Sequence, residues 1–353
     1  MSTLLWTFLV LCALWMALRF LPTGWDWHRP LPELIALIPL LAGPLMALTL
    51  WALLAAAWPQ LILAVLLLTL EAIWQLPFLL RLPPRLLRSV VGLPVFSQSA
   101  PQNSESELQK SLRFMTLNCR YGKASAAAIV EAARQQNLDV LALQELSAEL
   151  VASLESEGLS QVLPYKIVGP STADDNGGFN ALFSRIEPRV QQPVSVTLPA
   201  SAVPVMTLEA LGKTIEVASA HPKSPQRGGS NWGASILALT SLSPVAPLDP
   251  EQAHLSPQVP AERESVILGD LNSSIHHPSF RRLLSDGRLL DGAVSLHAGI
   301  HPTFPASWKA LPPLIEIDHL LHSPGLRVRA MKSLLIPGSD HMALTATLLS
   351  SHS

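Results

Sequence analysis

The sequence predicts an α/β domain that follows an apolar, membrane-spanning N-terminal region. Apolar residues make up 49% of the 353 residues and charged residues only 14%, which is unusual for a soluble protein. Further on, residues 112–117 have the pattern of a strand, residues 124–134 that of an alanine-rich helix, and residues 140–143 that of a second buried strand. A strand, a helix and a strand in close succession are typical of α/β domains.

Three membrane-spanning helices are predicted in the N-terminal region. Residues 4–21 are about long enough to cross a bilayer, and residues 31–80 fit two further helices that turn near Trp58. A cleaved signal peptide is the competing interpretation, but no basic segment precedes the apolar run. We therefore predict three units, which are a membrane anchor over residues 1–95, a flexible serine-rich linker over residues 96–110, and a folded domain over residues 111–353.

The charge of the predicted domain argues against nucleic acid as a favoured partner. From residue 111 onward there are 18 Lys and Arg against 21 Asp and Glu. A protein that binds a phosphate backbone normally presents clustered cations, and the adjacent pair Arg281 and Arg282 is interpreted here as a solvated helix face. The two cysteines, Cys12 and Cys119, are too few for a disulfide framework.

Eight polar side chains follow apolar, strand-like segments. They are Asn118, Glu145, His221, Asp270, Asn272, Asp318, Asp340 and His341. Each alone has another interpretation, such as a turn for Asp270 and Asn272 or the first turn of a helix for Glu145. Together, carboxylates, amides and imidazoles suit a hard divalent cation, Mg²⁺ or alternatively Mn²⁺, better than they suit Zn²⁺.

The remaining elements follow from periodicity and from the positions of glycine and proline. Strands are predicted at residues 179–184, 203–208, 214–219, 266–269, 314–317 and 342–348, and helices at residues 230–242 and 278–284. Residues 243–260 are rich in proline and are predicted to form a surface loop. Trp308 lies in another proline-rich loop, where it either contacts substrate or packs the loop against the domain.

The ordered set of polar residues resembles the endonuclease/exonuclease/phosphatase superfamily over residues 111–350. The resemblance rests on the motifs Leu-Asn118, Leu-Gln-Glu145, His221-Pro, Gly-Asp270-Leu-Asn272, Ile-Asp318-His and Gly-Ser-Asp340-His341. With its apolar N-terminal region, the chain is similar to the bacterial membrane-anchored branch that includes the VanJ-type teicoplanin-resistance proteins. The resemblance implies a four-layer α/β sandwich in which two mixed β-sheets are flanked by helices.

The resemblance also implies the roles of the site residues. Glu145 is expected to be the main metal ligand, helped by Asp340 and Asn118. In the same way, Asp270 is expected to activate the attacking water and Asn272 to stabilise the pentacovalent phosphorus. His221 and His341 are expected to contact phosphate oxygens, and Asp318 to orient a histidine. Asn180 and Trp308 are the candidate substrate contacts.

One departure from the family pattern concerns the first histidine. Nuclease members often carry an acid near the position of Gly177 and Gly178, whereas the nearest polar residues here are Asn176 and Asn180. This difference speaks against a nuclease-type general acid at His221.

These expectations combine into a membrane-anchored, Mg²⁺-dependent phosphohydrolase that cleaves a phosphate ester or anhydride. A position beside the lipid bilayer favours a phosphorylated small-molecule or lipid-linked substrate. A metal-dependent nuclease or nucleotide phosphodiesterase is the alternative, a non-catalytic binding module is a further one, and no protein partner is predicted.

Two arguments about the location of the domain disagree. We expect an integral protein of a bacterial plasma membrane. Five arginines near the predicted spans place the domain in the cytoplasm by the positive-inside rule. The resemblance to relatives whose lipid-phosphate substrates are expected outside the cell places it on the extracytoplasmic side, and this is the prediction we adopt.

Overall fold

Two six-stranded β-sheets form the centre of the domain in a computed structural model. The structure describes residues 2–96, 111–171, 178–244, 263–308 and 311–351. The strands are β1 (Leu112–Asn118), β2 (Val140–Leu146), β3 (Tyr165–Val168), β4 (Phe179–Ser184), β5 (Val190–Thr197), β6 (Ala202–Ala210), β7 (Lys213–Ser219), β8 (Arg263–Asp270), β9 (Leu290–Asp291), β10 (Asp318–His322), β11 (Leu326–Leu335) and β12 (Met342–Ser350).

Both sheets are mixed. Their strand orders are β11-β12-β1-β2-β4-β3 and β5-β6-β7-β8-β10-β9. The pairs β1–β2 and β7–β8 are parallel, and the other pairs are antiparallel. Parallel neighbours need a crossover connection, and a helix supplies it between β1 and β2.

The helices lie on the outer faces of the sheets and at the N-terminus. They are α1 (Ser2–Ala17), α2 (Leu31–Ala36), α3 (Ala42–Leu54), α4 (Trp58–Gln75), α5 (Ala126–Gln135), α6 (Ala148–Ser156), α7 (Leu159–Val162), α8 (Gly229–Ala238), α9 (Pro278–Asp286) and α10 (Gly292–Leu296). A hydrophobic core containing Phe114, Val217, Val266 and Phe280 unites the two sheets with α8 and α9, and a second core packs α5–α7 on β1 and β2. This arrangement confirms the predicted sandwich of two mixed sheets flanked by helices.

Two N-terminal helical segments, not three, are long and apolar enough to cross a membrane. They are Ser2–Phe20 and Trp58–Phe78, whereas the apolar segment between them, Ile38–Leu54, is shorter. Proline explains the difference, because it has no N–H to continue a helical ladder. Pro39 lies in a 3₁₀ turn, Ile38–Leu41, which separates α2 from α3. Two of the three predicted spans thus have spanning length, the third corresponds to the shorter segment Ile38–Leu54, and the number of helices that cross a membrane stays a prediction.

Residues 2–80, the N-terminal helical region, pack directly on the domain. The side chain of Asp26 accepts hydrogen bonds from the N–H and the hydroxyl of Ser279, at 2.8 and 2.7 Å. The buried guanidinium of Arg19 donates to the carbonyls of Ile275 and Val91, at 3.2 and 2.5 Å. Buried polar groups of this kind are costly unless they are paired, so these contacts fix the region against the domain.

One arginine of this interface was misassigned from sequence. Arg281 donates to the backbone carbonyls of His276 and Arg19, at 2.7 and 2.6 Å, and so joins the N-terminal helical region to the domain. Only Arg282 is on a solvated face, where it pairs with Asp286 at 2.5 Å. The sequence shows two adjacent arginines on one helix but not that Arg281 meets a backbone carbonyl far away in the chain. The same solvated role was therefore predicted for both arginines.

The predicted strand at residues 314–317 is also wrong. Within it, Ile315 forms an isolated bridge with Phe304, and the strand itself is β10, which begins at Asp318. Asp318 therefore starts a strand instead of following one. Two predicted segments lie outside the described residues. They are residues 97–110 of the predicted linker and residues 245–260 of the predicted proline-rich loop. The division of the chain at residues 95 and 110 stays a prediction.

Candidate active site

The strand ends of the two sheets meet along one edge. Strands β1, β2, β7 and β8 end there, and β10 and β12 begin there, because each of the latter runs antiparallel to its neighbour. Asp318, the first residue of β10, pairs in register with Asp270, the last residue of β8. Six chain segments thus bring their polar residues to this edge.

Asp270 lies at the centre of the site. Its Oδ2 accepts a hydrogen bond from Asn118 Nδ2 at 3.0 Å and lies 3.6 Å from the Nε2 atoms of both His221 and His341. Its Oδ1 accepts a hydrogen bond from the backbone N–H of Asn272 at 2.9 Å. Burial raises the pKa of Asp270 to about 6, which places this carboxyl in the range that suits general base catalysis near neutral pH.

His341 and Asp318 form a hydrogen-bonded pair. Nδ1 of His341 lies 2.8 Å from Oδ2 of Asp318, and the ring of Phe304 lies 4.9 Å from the imidazole. Burial alone would lower the pKa of His341, but the carboxylates of Asp318 and Asp270 outweigh it and raise this pKa to about 10. His341 is therefore a cationic donor at neutral pH.

Glu145 reaches the site through an irregularity in β2. Its backbone has φ +51°, and the register between β2 and β4 shifts between Leu143 and Leu146. A Cβ at Gly178 would lie 2.7 Å from the carbonyl carbon of Glu145, so β4 can approach this kink only with glycine at that position. Glu145 Oε2 accepts a hydrogen bond from the N–H of Tyr121 at 3.0 Å, and burial raises the pKa of Glu145 to about 7.

His221 faces two carboxylates. Its Nε2 lies 3.7 Å from Oε1 of Glu145 and 3.6 Å from Oδ2 of Asp270. A Cβ at Gly269 would lie 1.9 Å from the carbonyl oxygen of Ala220, and glycine thus lets β8 pass beside the segment that carries His221. Burial and the charge of His341 lower the pKa of His221 to about 3, so this imidazole is neutral at pH 7.

The remaining predicted residues occupy the rim of the site. Asn272 donates from Nδ2 to the carbonyl of Pro222 at 3.1 Å, and Asp340 Oδ2 lies 3.5 Å from Arg120 Nε. Asn118 accepts at Oδ1 from the N–H of Arg120, at 2.9 Å, in addition to its bond to Asp270. The structure thus brings all eight residues of the predicted set together.

A cavity of about 460 Å³ opens onto these residues, and we call it the catalytic cavity. Trp308 lines it and is 52% exposed, as a substrate contact requires. Asn180 is not among the residues that line it. This side chain is buried in β4 and donates to the carbonyl of Ala202 at 2.9 Å. Both assignments as substrate contacts stay predictions.

The residues at this edge fit a divalent cation. Glu145 and Asp270 are carboxylates with pKa values raised by burial, and a bound cation would offset the cost of burying them in charged form. Among the described residues, Oδ1 of Asp318 is a buried carboxylate oxygen without a hydrogen-bond partner. Asp270, Asp318 and His341 also lie close enough to share an ion, and Nδ1 of His341 is already hydrogen-bonded to Asp318 at 2.8 Å.

A second cluster of similar residues is held together without a metal. Asp291, Glu316 and His319 lie within ligand distance of one another. However, His319 uses Nδ1 for Asp291 at 2.7 Å and Nε2 for the carbonyl of Ser273 at 2.8 Å. An imidazole with both nitrogens facing acceptors is a cation, and His319 and Asp291 therefore form a buried ion pair.

One wall of the catalytic cavity was not predicted from the sequence. This wall consists of Pro32, Glu33, Ala36 and Leu37 of the N-terminal helical region. Their pattern resembles the start of an apolar helix, and nothing in it signals a contact with residues two hundred positions later. The aromatic run that includes Trp27 was the available signal, but a membrane interface explained it equally well.

The site consists of buried carboxylates, imidazoles and amides at one edge of two mixed sheets. This combination is typical of metal-dependent enzymes that hydrolyse phosphoester bonds. The chain belongs to the Endonuclease/Exonuclease/phosphatase family, whose model matches residues 115–341. It is accordingly a metal-dependent hydrolase of phosphoester bonds. The resemblance to the VanJ-type branch stays a prediction.

Solved structures of low sequence identity share the fold. A family protein from Leptotrichia buccalis C-1013-b is 16% identical, with a TM-score of 0.50, and the match covers 67% of this chain and 99% of that one. A D. rerio TDP2 humanised by 14 mutations is 14% identical, with a TM-score of 0.52, and the match covers 68% and 99% of the two chains. No curated protein is significantly similar to this chain.

Proposed function

We propose that this protein is a membrane-anchored, Mg²⁺-dependent phosphohydrolase that acts on lipid-linked phosphoesters. The observation that carries the hydrolytic part is the position of Asp270, within 3.6 Å of two histidines and hydrogen-bonded to Asn118. Mn²⁺ is the alternative metal. Glu145, with Asp340 and Asn118, would hold the cation, which would supply charge neutralisation to the phosphate and its leaving oxygen.

The side chains of this chain supply the rest of the chemistry. Asp270 accepts a proton from the attacking water, since its pKa near 6 leaves it largely ionised at pH 7. His341, held cationic by Asp318, donates a hydrogen bond to a phosphate oxygen and stabilises the charge that grows in the transition state. Neutral His221 donates a second hydrogen bond, and Asn272 a third from its amide.

The composition of the catalytic cavity supports a lipid-linked substrate over a nucleic acid. No Lys or Arg is among the described residues that line it, while Phe304, Trp308, Leu314 and Ile315 do line it. Binding of a nucleic-acid backbone is dominated by contacts between phosphates and cations, whereas apolar walls suit hydrocarbon. Two helical segments long enough to span a membrane support anchoring beside such substrates.

Hydrolysis by the intact chain in mixed micelles tests this function, measured as phosphate release from the monoester and as formation of the alcohol or the shortened strand from the diesters. The substrates are a soluble phosphodiester, a long-chain phosphatidic acid and a single-stranded oligonucleotide, each with Mg²⁺, with Mn²⁺ and with EDTA. We expect metal-dependent hydrolysis of the lipid phosphate and its loss in Glu145→Ala. Faster cleavage of the oligonucleotide would favour the nuclease alternative, and activity that survives EDTA would refute the metal mechanism.

A further inference from the structure

The wall that the N-terminal helical region contributes to the catalytic cavity connects the cavity to the end of the second apolar helix. Ala36, Leu314 and Ile315 line the catalytic cavity, and the same three residues line a smaller cavity of about 40 Å³. Gln75 and Phe78, at the end of the apolar segment Trp58–Phe78, also line the smaller cavity. The three shared residues therefore lie between the end of this segment and the catalytic cavity, and the polar side chains of His276, Glu316 and His319 also line the smaller cavity.

Both sides of this connection are fixed by hydrogen bonds. On one side, the carbonyl of Pro32 lies 2.9 Å from Nε2 of the buried His277, and Arg29 donates to the carbonyl of Gln226 at 2.9 Å. On the other side, the N–H of Gly299 donates to the carbonyl of Phe78 at 2.7 Å. The residues on both sides are thus held in place by hydrogen bonds within the chain.

The side chains at the outer end of this connection are apolar and exposed. Ile300, next to Gly299, is 54% exposed, and Leu79 and Leu80, which follow the second apolar segment, are 58% and 55% exposed. Large exposed apolar side chains that cluster at one place mark contact with a partner or a membrane. Here they lie at the end of a helix that is long enough to span a bilayer, which indicates hydrocarbon as the neighbour.

We propose that Ala36, Leu37, Leu314 and Ile315 form a passage for the hydrocarbon chain of the substrate. In this arrangement the phosphoester of a membrane lipid reaches Asp270 and His341 while its chain stays between α2 and the loop that contains Leu314. The inference rests on the proposed function, and it makes the N-terminal helical region a part of the substrate-binding site in addition to an anchor.

A matched pair of substrates separates this passage from the hydrolytic chemistry. Long-chain and short-chain phosphatidic acids carry the same phosphate and differ only in the hydrocarbon available to the passage. For the native full-length chain we expect kcat/KM to be higher for the long-chain lipid by about tenfold or more, since each buried methylene adds binding energy. Ala36→Trp, which fills the shared wall, should abolish this preference, whereas Met46→Trp on the exposed face of α3 should keep it.

The outcomes distinguish the passage from the function on which it rests. Equal kcat/KM for the two lipids in the native chain would overturn the passage while leaving the phosphohydrolase intact. A chain that cleaves no phosphoester at all would overturn both. An unchanged chain-length preference in Ala36→Trp would also overturn the passage.

A measurement that needs no catalysis covers the case in which Ala36→Trp fails to fold. Glu145→Ala protein in phosphatidylcholine vesicles is labelled with a phosphatidic acid whose chain carries a diazirine, and the labelled peptides are identified by mass spectrometry. We expect label at residues 36–41 or 314–315 that excess unlabelled phosphatidic acid displaces. Label confined to the outward faces of the apolar helices would refute the passage.

Discussion

Oδ2 of Asp318 accepts a hydrogen bond from Nδ1 of His341 at 2.8 Å, and the other ring nitrogen of this histidine lies 3.6 Å from Asp270. Two carboxylates on neighbouring strands thus hold one imidazole as a cation between them. This relationship depends on the antiparallel pairing of β8 and β10, which sets Asp318 opposite Asp270.

Replacing Asp318 should lower turnover more than binding. In Asp318→Asn, the neutral amide stabilises an imidazolium less well than the carboxylate does, so the pKa of His341 falls and the cationic form is less favoured. We expect kcat to fall by about 10²–10⁴ with little change in KM, as for a group that acts in the transition state. Steady-state kinetics with a soluble phosphodiester measure this change. Asp286→Asn, at an exposed surface pair, is the control, and a kcat close to that of the native chain would contradict the assigned role.

Glu145 should control the metal requirement. Glu145→Gln keeps the shape of the side chain but removes its charge, so we expect the Mg²⁺ concentration at half-maximal activity to rise and kcat to fall by about 10² or more. The exposed Glu157 on the following helix provides the control variant Glu157→Gln. A metal titration that is the same for Glu145→Gln and the native chain would exclude Glu145 as a ligand.

Stability should decrease between about pH 6.5 and pH 9 because of His319. Burial alone would lower the pKa of His319, but the Asp291 carboxylate outweighs it and raises this pKa from 6.5 to about 9. A pKa above its unfolded value means that the stabilisation is complete below pH 6.5 and is lost as pH rises through about 9. The full effect is on the order of 3 kcal/mol.

Two neighbours of His319 bear on the same measurement. Burial raises the pKa of Glu316 to about 8, so Glu316 also makes stability decrease as the pH rises. The pKa of Asp291 is lowered by its hydrogen bond to His319, so its contribution to stability is lost only under acidic conditions. Thermal unfolding in detergent as a function of pH is the measurement. His319→Gln should make the profile less steep, while His341, whose pKa is raised to about 10, keeps part of the slope. The exposed His28→Gln should leave the profile unchanged, and a native Tm that rises between these pH values would refute the interpretation.

The docking of the N-terminal helical region on the domain should not tolerate a methyl group at Gly233. A Cβ there would lie 1.9 Å from Nε1 of Trp27, and Trp27 also donates to the hydroxyl of Ser279 at 2.8 Å. We expect Gly233→Ala to lower the free energy of unfolding by about 1–3 kcal/mol, the usual cost of overpacking. Gly43→Ala, where a Cβ meets nothing within 4 Å, should be close to neutral in denaturant titrations, and equal stability of the two variants would contradict a tight interface.

Membrane attachment should survive washing with alkaline carbonate. Two apolar segments of 19 and 21 residues are each about as long as a bilayer-spanning helix, and salt or high pH does not extract such helices. Protease added to intact spheroplasts then reports the side of the membrane. If the domain is extracytoplasmic, we expect the protease to cut within residues 96–110. If this segment is cut only after the membrane is permeabilised, the domain is cytoplasmic.

The central strands of each sheet were predictable because a buried strand is a short run of apolar residues that can be recognised within a few positions of the sequence. Strand β4 was predicted with its observed bounds, and β1, β2 and β7 to within a few residues. Strand β10 was misplaced, since Leu314 to Ile317 are as apolar as a strand, and only pairing with β8 decides where hydrogen bonds form. The edge strands β3, β5, β9 and β11 were not predicted, because short or half-exposed strands have weak periodicity.

By itself, the sequence predicted a set of candidate residues for the chemistry, because Asn118, Glu145, His221, Asp270 and His341 stand in recognisable order at the ends of apolar segments. It also determined an apolar N-terminus. Only the tertiary structure decided how these residues act on one another, since the charge of His341 and the neutrality of His221 depend on distances between strands far apart in the chain. Only the tertiary structure, likewise, placed Ala36 and Leu37 in the wall of the site, because the contacts of Asp26 and Arg19 with the domain are made across more than two hundred residues.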